Sequence, residues 1–347
     1  MRSHSYTGIL GRCVPIFLIV FFLCFSCTRG EPRSATSVAG SKTDMQKNRT
    51  PSGTEGHDTG DVQLTETPDT QKSPELPDLA EAIARFSRGP SAGTRQDQSS
   101  LQVKADTHPD SKAFVEDYLR WFFGEARIPD RLATKIASSV LESPAFFMEF
   151  FMLLDQDPYT YYLVDKQHPL PDGYEPDDLV PLKAGIYRVS RNDLMLRKIA
   201  ADALQEMATA AAGEGIVFEI GSTYRSAAYQ AQVYEREVKT YGKETADRES
   251  AQSGRSQHQL GLVVDFAPID DKFAKTPASK WLLSNASRFG WSLSFPGGCE
   301  DITGYRWESW HYRYVGKDLA AFIDKYFEGI QQYALQFIHA WQEQPVS

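Results

Sequence analysis

Cysteine is scarce in this 347-residue chain: there are four, and Cys13 and Cys24 both fall inside one apolar run near the start. With that run set aside only Cys27 and Cys299 remain, and a bond between them would close a very long, mostly polar loop. Nothing in this spacing suggests a disulfide framework. Positive charge is also in deficit, because 37 Lys and Arg face 46 Asp and Glu for a net charge of −9. That balance argues against a general nucleic-acid binder, which needs clustered Lys and Arg to neutralise phosphates. An acidic surface by itself mainly keeps a protein soluble. No internal repeat is present. Aromatic residues are nearly missing from Gly30 to Pro109, where Phe86 stands alone. A segment rich in Ser, Thr, Asp, Gln, Gly and Pro cannot bury enough apolar surface to offset its ordering entropy, so residues 28–110 read as a disordered linker. Within it, PDLAEAIARF reads as a transient amphipathic helix with Asp78 as its cap.

What the chain does have begins with CVPIFLIVFFLCFSC, from Cys13 to Cys27, preceded by Arg2 and Arg12. This run is too short to span a bilayer comfortably and suits the core of a signal peptide, with a short membrane anchor as the other reading. Cys27 closes it just before Thr28 and Arg29, as in the lipobox of bacterial lipoproteins, although Cys24, Phe25 and Ser26 stand where Leu and small residues are usual. Residues 1–27 therefore read as a signal peptide. The protein is expected outside the cytoplasm, in the periplasm or cell envelope, with a membrane tether if Cys27 is lipidated.

Apolar and aromatic residues become dense at Ser111 and stay so to Gln342. Residues 111–160 form a helical extension: SKAFVEDYLRWFF and RLATKIASSVLESPAFFMEFFMLL have helical spacing, the second broken near Pro144. Residues 161–345 form the main domain. Here the sequence predicts a short strand at Tyr161–Val164, a helix from Asn192 to Gly213 or Gly215, and strands at Ile216–Ile220, LVVDF, WSLSF and HYRYV. Further helices are expected through SAAYQAQVYEREV, around SKWLLSNASRFG and from Lys317 onward. Without a regular βαβ rhythm, this mixture predicts an α+β fold, a small, largely antiparallel sheet flanked by helices.

Three stretches carry chemistry. In SQHQLGLVVDF, His258 and Asp265 can face one point only if the chain bends between them, and Gly261 permits the bend. An aspartate between Val264 and Phe266 is costly to bury unless a cation or hydrogen bonds compensate it; a metal site and a salt-bridged core residue both fit. WESWHYRYV adds Glu308 and His311, which share a direction only if the chain turns just before the strand. Two imidazoles and a carboxylate leave a fourth zinc position open, as in catalytic sites, and a further carboxylate can then take a proton from bound water. The bland alternatives are a surface Glu308 paired with Arg306 or Arg313 and a core His311 among Trp310, Tyr312 and Tyr314. In GSTYRSAAYQAQVY, Arg225 follows a strand, Ser226 can cap the next helix, and Gln230 lies about one turn in. Arginine's planar fork suits a terminal carboxylate, and equally a structural ion pair.

Together these stretches resemble the VanY-type D-alanyl-D-alanine carboxypeptidases, zinc peptidases of family M15B related to the LdcB-type L,D-carboxypeptidases. The family's YRS with a downstream glutamine is matched by Tyr224, Arg225, Ser226 and Gln230. Its SxHxxGxAxD is matched by Ser256, His258, Gly261 and Asp265, and its ExWHxRY by Glu308, Trp310, His311, Arg313 and Tyr314. The resemblance covers roughly Tyr161 to Gly316. It implies Zn2+ held by His258, Asp265 and His311, Glu308 as general base and acid, and Arg225, Gln230 and Ser256 holding the substrate's terminal residue. The implied reaction is removal of the C-terminal D-alanine from peptidoglycan stem peptides. L,D-carboxypeptidase or D,D-dipeptidase action on such peptides, or a non-catalytic zinc-containing wall-binding lipoprotein, are the alternatives. Three positions depart from the family pattern: Val263 replaces its alanine, Ser309 a proline, and Ser253 the proline often found before SxH.

Overall fold

Two hydrophobic cores organise the computed structural model, which describes residues 79–90 and 111–344. The expected signal peptide, Cys27 and most of the expected linker lie outside the described residues.

The first core is helical. Helices α1 (Leu79–Ser87), α2 (Ser111–Glu125), α3 (Asp130–Glu142) and α4 (Ala145–Leu153) open it. In α3 the buried residues Leu132, Ala133, Ile136, Ala137 and Val140 recur at the helical period and make one apolar face. The expected break falls where Pro144 imposes it. Ser143 is extended, as a residue before proline must be, and α4 leaves α3 at 107°. Proline is tolerated there because the first residues of a helix need no backbone donor.

Helix α1 corrects the linker reading at residues 79–87 only. Ala82, Ile83 and Phe86 are buried, and the Trp341 indole donates to the Phe86 carbonyl at 2.9 Å. Average composition conceals such a helix, since three apolar residues on one face suffice when an aromatic core already exists to receive them. Burying one phenylalanine contributes about 1.5–3 kcal/mol.

The second core surrounds the sheet. Strands β1 (Leu179–Pro181) and β3 (Met195–Arg197) pair antiparallel, while β2 (Arg188–Val189) runs parallel to β4 (Glu219–Ser222). Then β5 (Val263–Phe266), β6 (Trp291–Leu293) and β7 (His311–Tyr314) complete a five-stranded sheet of order β2-β4-β5-β7-β6, antiparallel apart from its first pair. Helices α5 (Lys198–Gly213), α6 (Ala227–Tyr241), α7 (Lys243–Glu249), α8 (Pro277–Asn285) and α9 (Glu300–Thr303) connect and flank it. Helices α10 (Lys317–Tyr326) and α11 (Gln331–Gln342) then return the chain to the first core. The α+β expectation holds.

Several boundaries differ from those read in the sequence, each for a tertiary reason. Tyr161–Val164 is not a strand: the carbonyls of Tyr159, Thr160 and Tyr162 accept from the buried Arg313 guanidinium at 3.1, 3.2 and 2.8 Å, so they are taken from any ladder. The helix expected from Asn192 begins at Lys198, because Met195–Arg197 pairs with the proline-flanked Leu179–Pro181. The strand expected at Ile216–Ile220 is shifted to Glu219–Ser222, where β5 and β2 supply partners. The closing helix breaks into two at Glu328 and Gly329, both at positive φ. Cys299 is buried and free.

Candidate metal centre

The geometry begins at Gly261. His258 lies in a 3-10 turn, Gln257–Leu260, and Gly261 follows in the left-handed region at φ +70° before β5 starts. A Cβ there would sit 2.9 Å from the Arg197 Cγ, so backbone conformation and space both demand glycine. This is the bend that the sequence requires, and it turns His258 onto the side of the strand that carries Asp265. The second bend is equally local. The His311 N–H donates to the Glu308 carbonyl at 3.2 Å, closing a turn that lets both side chains face one direction as β7 begins. Strand register completes the convergence by setting Asp265 opposite His311.

His258 Nε2 lies 3.2 Å from Asp265 Oδ2, and His311 Nδ1 lies 3.1 Å from Asp265 Oδ1. One ligand atom from each of the three residues falls within 4.8 Å of the others. Ligands about 2.0–2.1 Å from a tetrahedral ion are about 3.3 Å apart, so the spacing suits such an ion. All three side chains are buried, and His258 Nε2 and Asp265 Oδ1 lack hydrogen-bond partners. Two nitrogens and one carboxylate oxygen are the donor set zinc accepts, so the residues fit the group.

The remote nitrogens are also engaged. His258 Nδ1 is 2.6 Å from the Thr223 carbonyl, and His311 Nε2 is 3.3 Å from Gln257 Oε1. Sequence reading missed both partners. Gln257 adjoins His258 and could have been suspected, whereas Thr223 acts through its backbone and offers no side-chain signal.

Electrostatics follows from burial and charge. Burial and the Arg225 charge take His258 down to about 4, so it is neutral. Burial also opposes a charge on His311, yet Asp265 and Glu308 overcome this and lift it to about 9. Burial works against Asp265 ionising, but the two imidazoles hold it below the usual carboxylate range. Glu308, 3.3 Å from His311 Nδ1 through Oε2, is pushed up by burial. The positive charge held here as a proton on His311 is of the kind a divalent ion supplies.

These residues line one cavity of about 550 Å³, together with Arg225, Gln230 and Ser256. The Arg225 Nε is buried without a partner; burial lowers the guanidinium's pKa although Asp265 and Glu308 favour its charge. Gln230 donates from Nε2 to the Ala251 carbonyl at 2.6 Å and leaves Oε1 unpartnered. Ser256 caps the 3-10 turn by accepting from the His258 N–H at 3.3 Å, and Ser226 caps α6 as expected. All seven residues singled out in the sequence therefore meet at one cavity. Val263 is buried and stands opposite Arg313 in the register, two residues before Asp265 and so on the same face of β5.

Residues 193–317 match the VanY family model, D-alanyl-D-alanine carboxypeptidase. The chain is 37% identical over 184 residues to the putative carboxypeptidase YodJ of Bacillus subtilis, covering 49% of this chain and 67% of that one. It is 31% identical over 185 residues to a D-alanyl-D-alanine carboxypeptidase of Enterococcus faecalis, covering 51% and 65%. It thus spans about two thirds of the length of these relatives. Among solved structures, an LdcB LD-carboxypeptidase shares 36% identity over 50% of this chain and 89% of its own, with a TM-score of 0.45. With 37% identity across two thirds of the Bacillus subtilis relative, and with a family model running through both strands of the site, the chain belongs to the VanY family of D-alanyl-D-alanine carboxypeptidases.

Proposed function

We propose that the protein is a zinc-dependent carboxypeptidase that removes the C-terminal D-alanine from peptidoglycan stem peptides, with zinc held by His258, Asp265 and His311. The observation that carries this reading is the convergence of three buried ligand atoms beside a fourth group, Glu308, that is left over for chemistry. Bound zinc would acidify a water molecule toward neutrality and polarise the scissile carbonyl. Glu308 takes the proton from that water and passes it to the leaving amine. Its burial raises its proton affinity, which suits a group that must both accept and return a proton. Asp265, held anionic by two imidazoles, stays out of that exchange.

Arg225 has a buried Nε in need of an acceptor, and the terminal carboxylate of a peptide is a bidentate one. The unpartnered Gln230 Oε1 accepts an N–H from the same terminal residue, and Ser256 lines the wall beside it. Because peptidoglycan lies outside the cytoplasm, the run from Cys13 to Cys27 is assigned to export, with Cys27 as the point of attachment to the membrane. Partition of wild type and Cys27→Ala between membrane and soluble fractions tests that assignment.

The test of the reaction is incubation of the purified protein with penta- and tetrapeptide stems, with and without chelator, and mass spectrometry of the products. Chelator-sensitive release of D-alanine from the pentapeptide is expected. Release from neither peptide would sink the proposal, and release from the tetrapeptide alone would replace it with an L,D-carboxypeptidase.

A further inference from the structure

Two rings neighbour the His311 imidazole: Phe295 and His258 lie with ring centroids 4.7 and 4.9 Å away, at interplanar angles of 55° and 85°. Neither decides which ring nitrogen is protonated. That choice matters, because Nδ1 can bind a cation beside Asp265 only if the proton sits on Nε2.

The acceptor that draws the proton to Nε2 is Gln257 Oε1. Its orientation is set in turn by Ser294, whose hydroxyl donates to the same oxygen at 2.7 Å. Ser294 also faces Gln331 Oε1 at 3.5 Å, and Gln331 donates from Nε2 to the Ser292 carbonyl at 3.3 Å. An amide anchored in that way presents its oxygen to Ser294, and a hydroxyl set between two amide oxygens acts as a donor to the nearer. Gln257, Ser294 and Gln331 are 6%, 2% and 1% exposed, so water does not compete for these groups.

We infer that Gln257, held by the Ser294 hydroxyl, is a positioning residue that selects the metal-binding tautomer of His311. This inference rests on the zinc reading above. Loss of a partner behind a ligating histidine weakens metal binding by about 10–100-fold.

The experiment measures zinc affinity of the full chain by competition with a chromogenic chelator, together with thermal unfolding of each apoprotein. Gln257→Leu should weaken zinc binding about 10–100-fold, Gln257→Glu, which retains an acceptor, should restore most of it, and Ser294→Ala, which removes the donor that holds Gln257, should weaken it by a smaller factor. Nitrogen NMR of zinc-loaded wild type should show His311 bound through Nδ1 and protonated at Nε2, a readout that needs no variant to fold. Coordination through Nε2, or a Gln257→Leu protein that binds zinc within twofold of wild type, overturns the role of Gln257. A Ser294→Ala protein that keeps wild-type zinc affinity overturns the role of Ser294 in holding Gln257. A wild type with no zinc affinity overturns the proposed function as well, whereas a zinc-binding wild type with unchanged variants overturns this inference alone.

Discussion

Phe337 in α11 and His311 at the head of β7 are both buried, but in opposite surroundings. Six aromatic rings, from Phe86, Phe122, Phe123, Phe146, Phe150 and Phe327, lie with centroids 5.3–5.7 Å from Phe337. His311 has Asp265, Glu308 and Gln257 within 3.3 Å. The first arrangement gains free energy from excluded water and close packing. The second spends some of it, since two histidines and two carboxylates are held out of water with two ligand atoms unpartnered. Such a cluster is tolerable only in a scaffold that is stable for other reasons, and the apolar residues on either side of it in the sheet core, with the helical core beyond, make that scaffold. The two halves should therefore fail differently when they are damaged.

The largest expected effect separates them on the catalytic side. Glu308→Gln should lower peptide hydrolysis by about 10²–10⁴-fold, the usual worth of a general acid–base group, with zinc content and unfolding temperature close to wild type. Steady-state kinetics beside metal analysis checks this, and a variant that also loses its zinc would mean that Glu308 is a ligand rather than a proton carrier. The converse is Phe337→Ala, which should cost about 3–5 kcal/mol of stability by opening a cavity among six rings. Urea unfolding reads it, and zinc affinity of the fraction still folded should change little. A smaller effect bridges the halves. Gly261→Ala should cost about 1–3 kcal/mol, because it places a side chain at positive φ against Arg197, and should weaken zinc binding by displacing His258. Equal zinc affinity in that variant would show that the bend is not what aims the ligand.

The smallest effect is a pH dependence at the joint between the halves. Asp165 accepts from the N–H groups of Gln167 and His168, from the His168 ring, and from Gln332 of α11. Burial raises its pKa, but the hydrogen bonds and the His168 charge outweigh this and leave it depressed. A carboxylate depressed in the folded state binds fewer protons there than in the unfolded chain. Its stabilisation is present above the unfolded value near 3.9 and is lost as pH falls through the lower folded value. Asp165→Asn should flatten the acid side of the stability profile in denaturant titrations between about pH 2 and pH 5. An unchanged slope would remove Asp165 from the account.

Much of the site was legible because its signals are chemical and local. Glycine between His258 and Asp265 predicts a bend, and a short turn between Glu308 and His311 allows a shared direction; both occur. Pro144 ends one helix and starts the next through its own ring. The misplaced elements had no such local cause. Met195–Arg197 follows a helical pattern until β1 pairs with it, and Tyr161–Val164 has strand-forming residues whose neighbouring carbonyls Arg313 captures. Phe86 stood out in the sequence as a lone aromatic, but its isolation favoured a linker until a ring cluster existed to bury it.

By itself, then, the sequence determined which residues could carry the chemistry, where the chain must bend to bring each pair together, and that the longer amphipathic segments are helical, because side-chain type and backbone preference act within a few residues. Only the tertiary structure decided the strand boundaries, the docking of Phe86 against Phe337, and the path from His311 through Gln257 to Ser294. Those depend on partners far along the chain, and a hydrogen bond or a buried ring stabilises a residue only once the fold has brought its partner within reach.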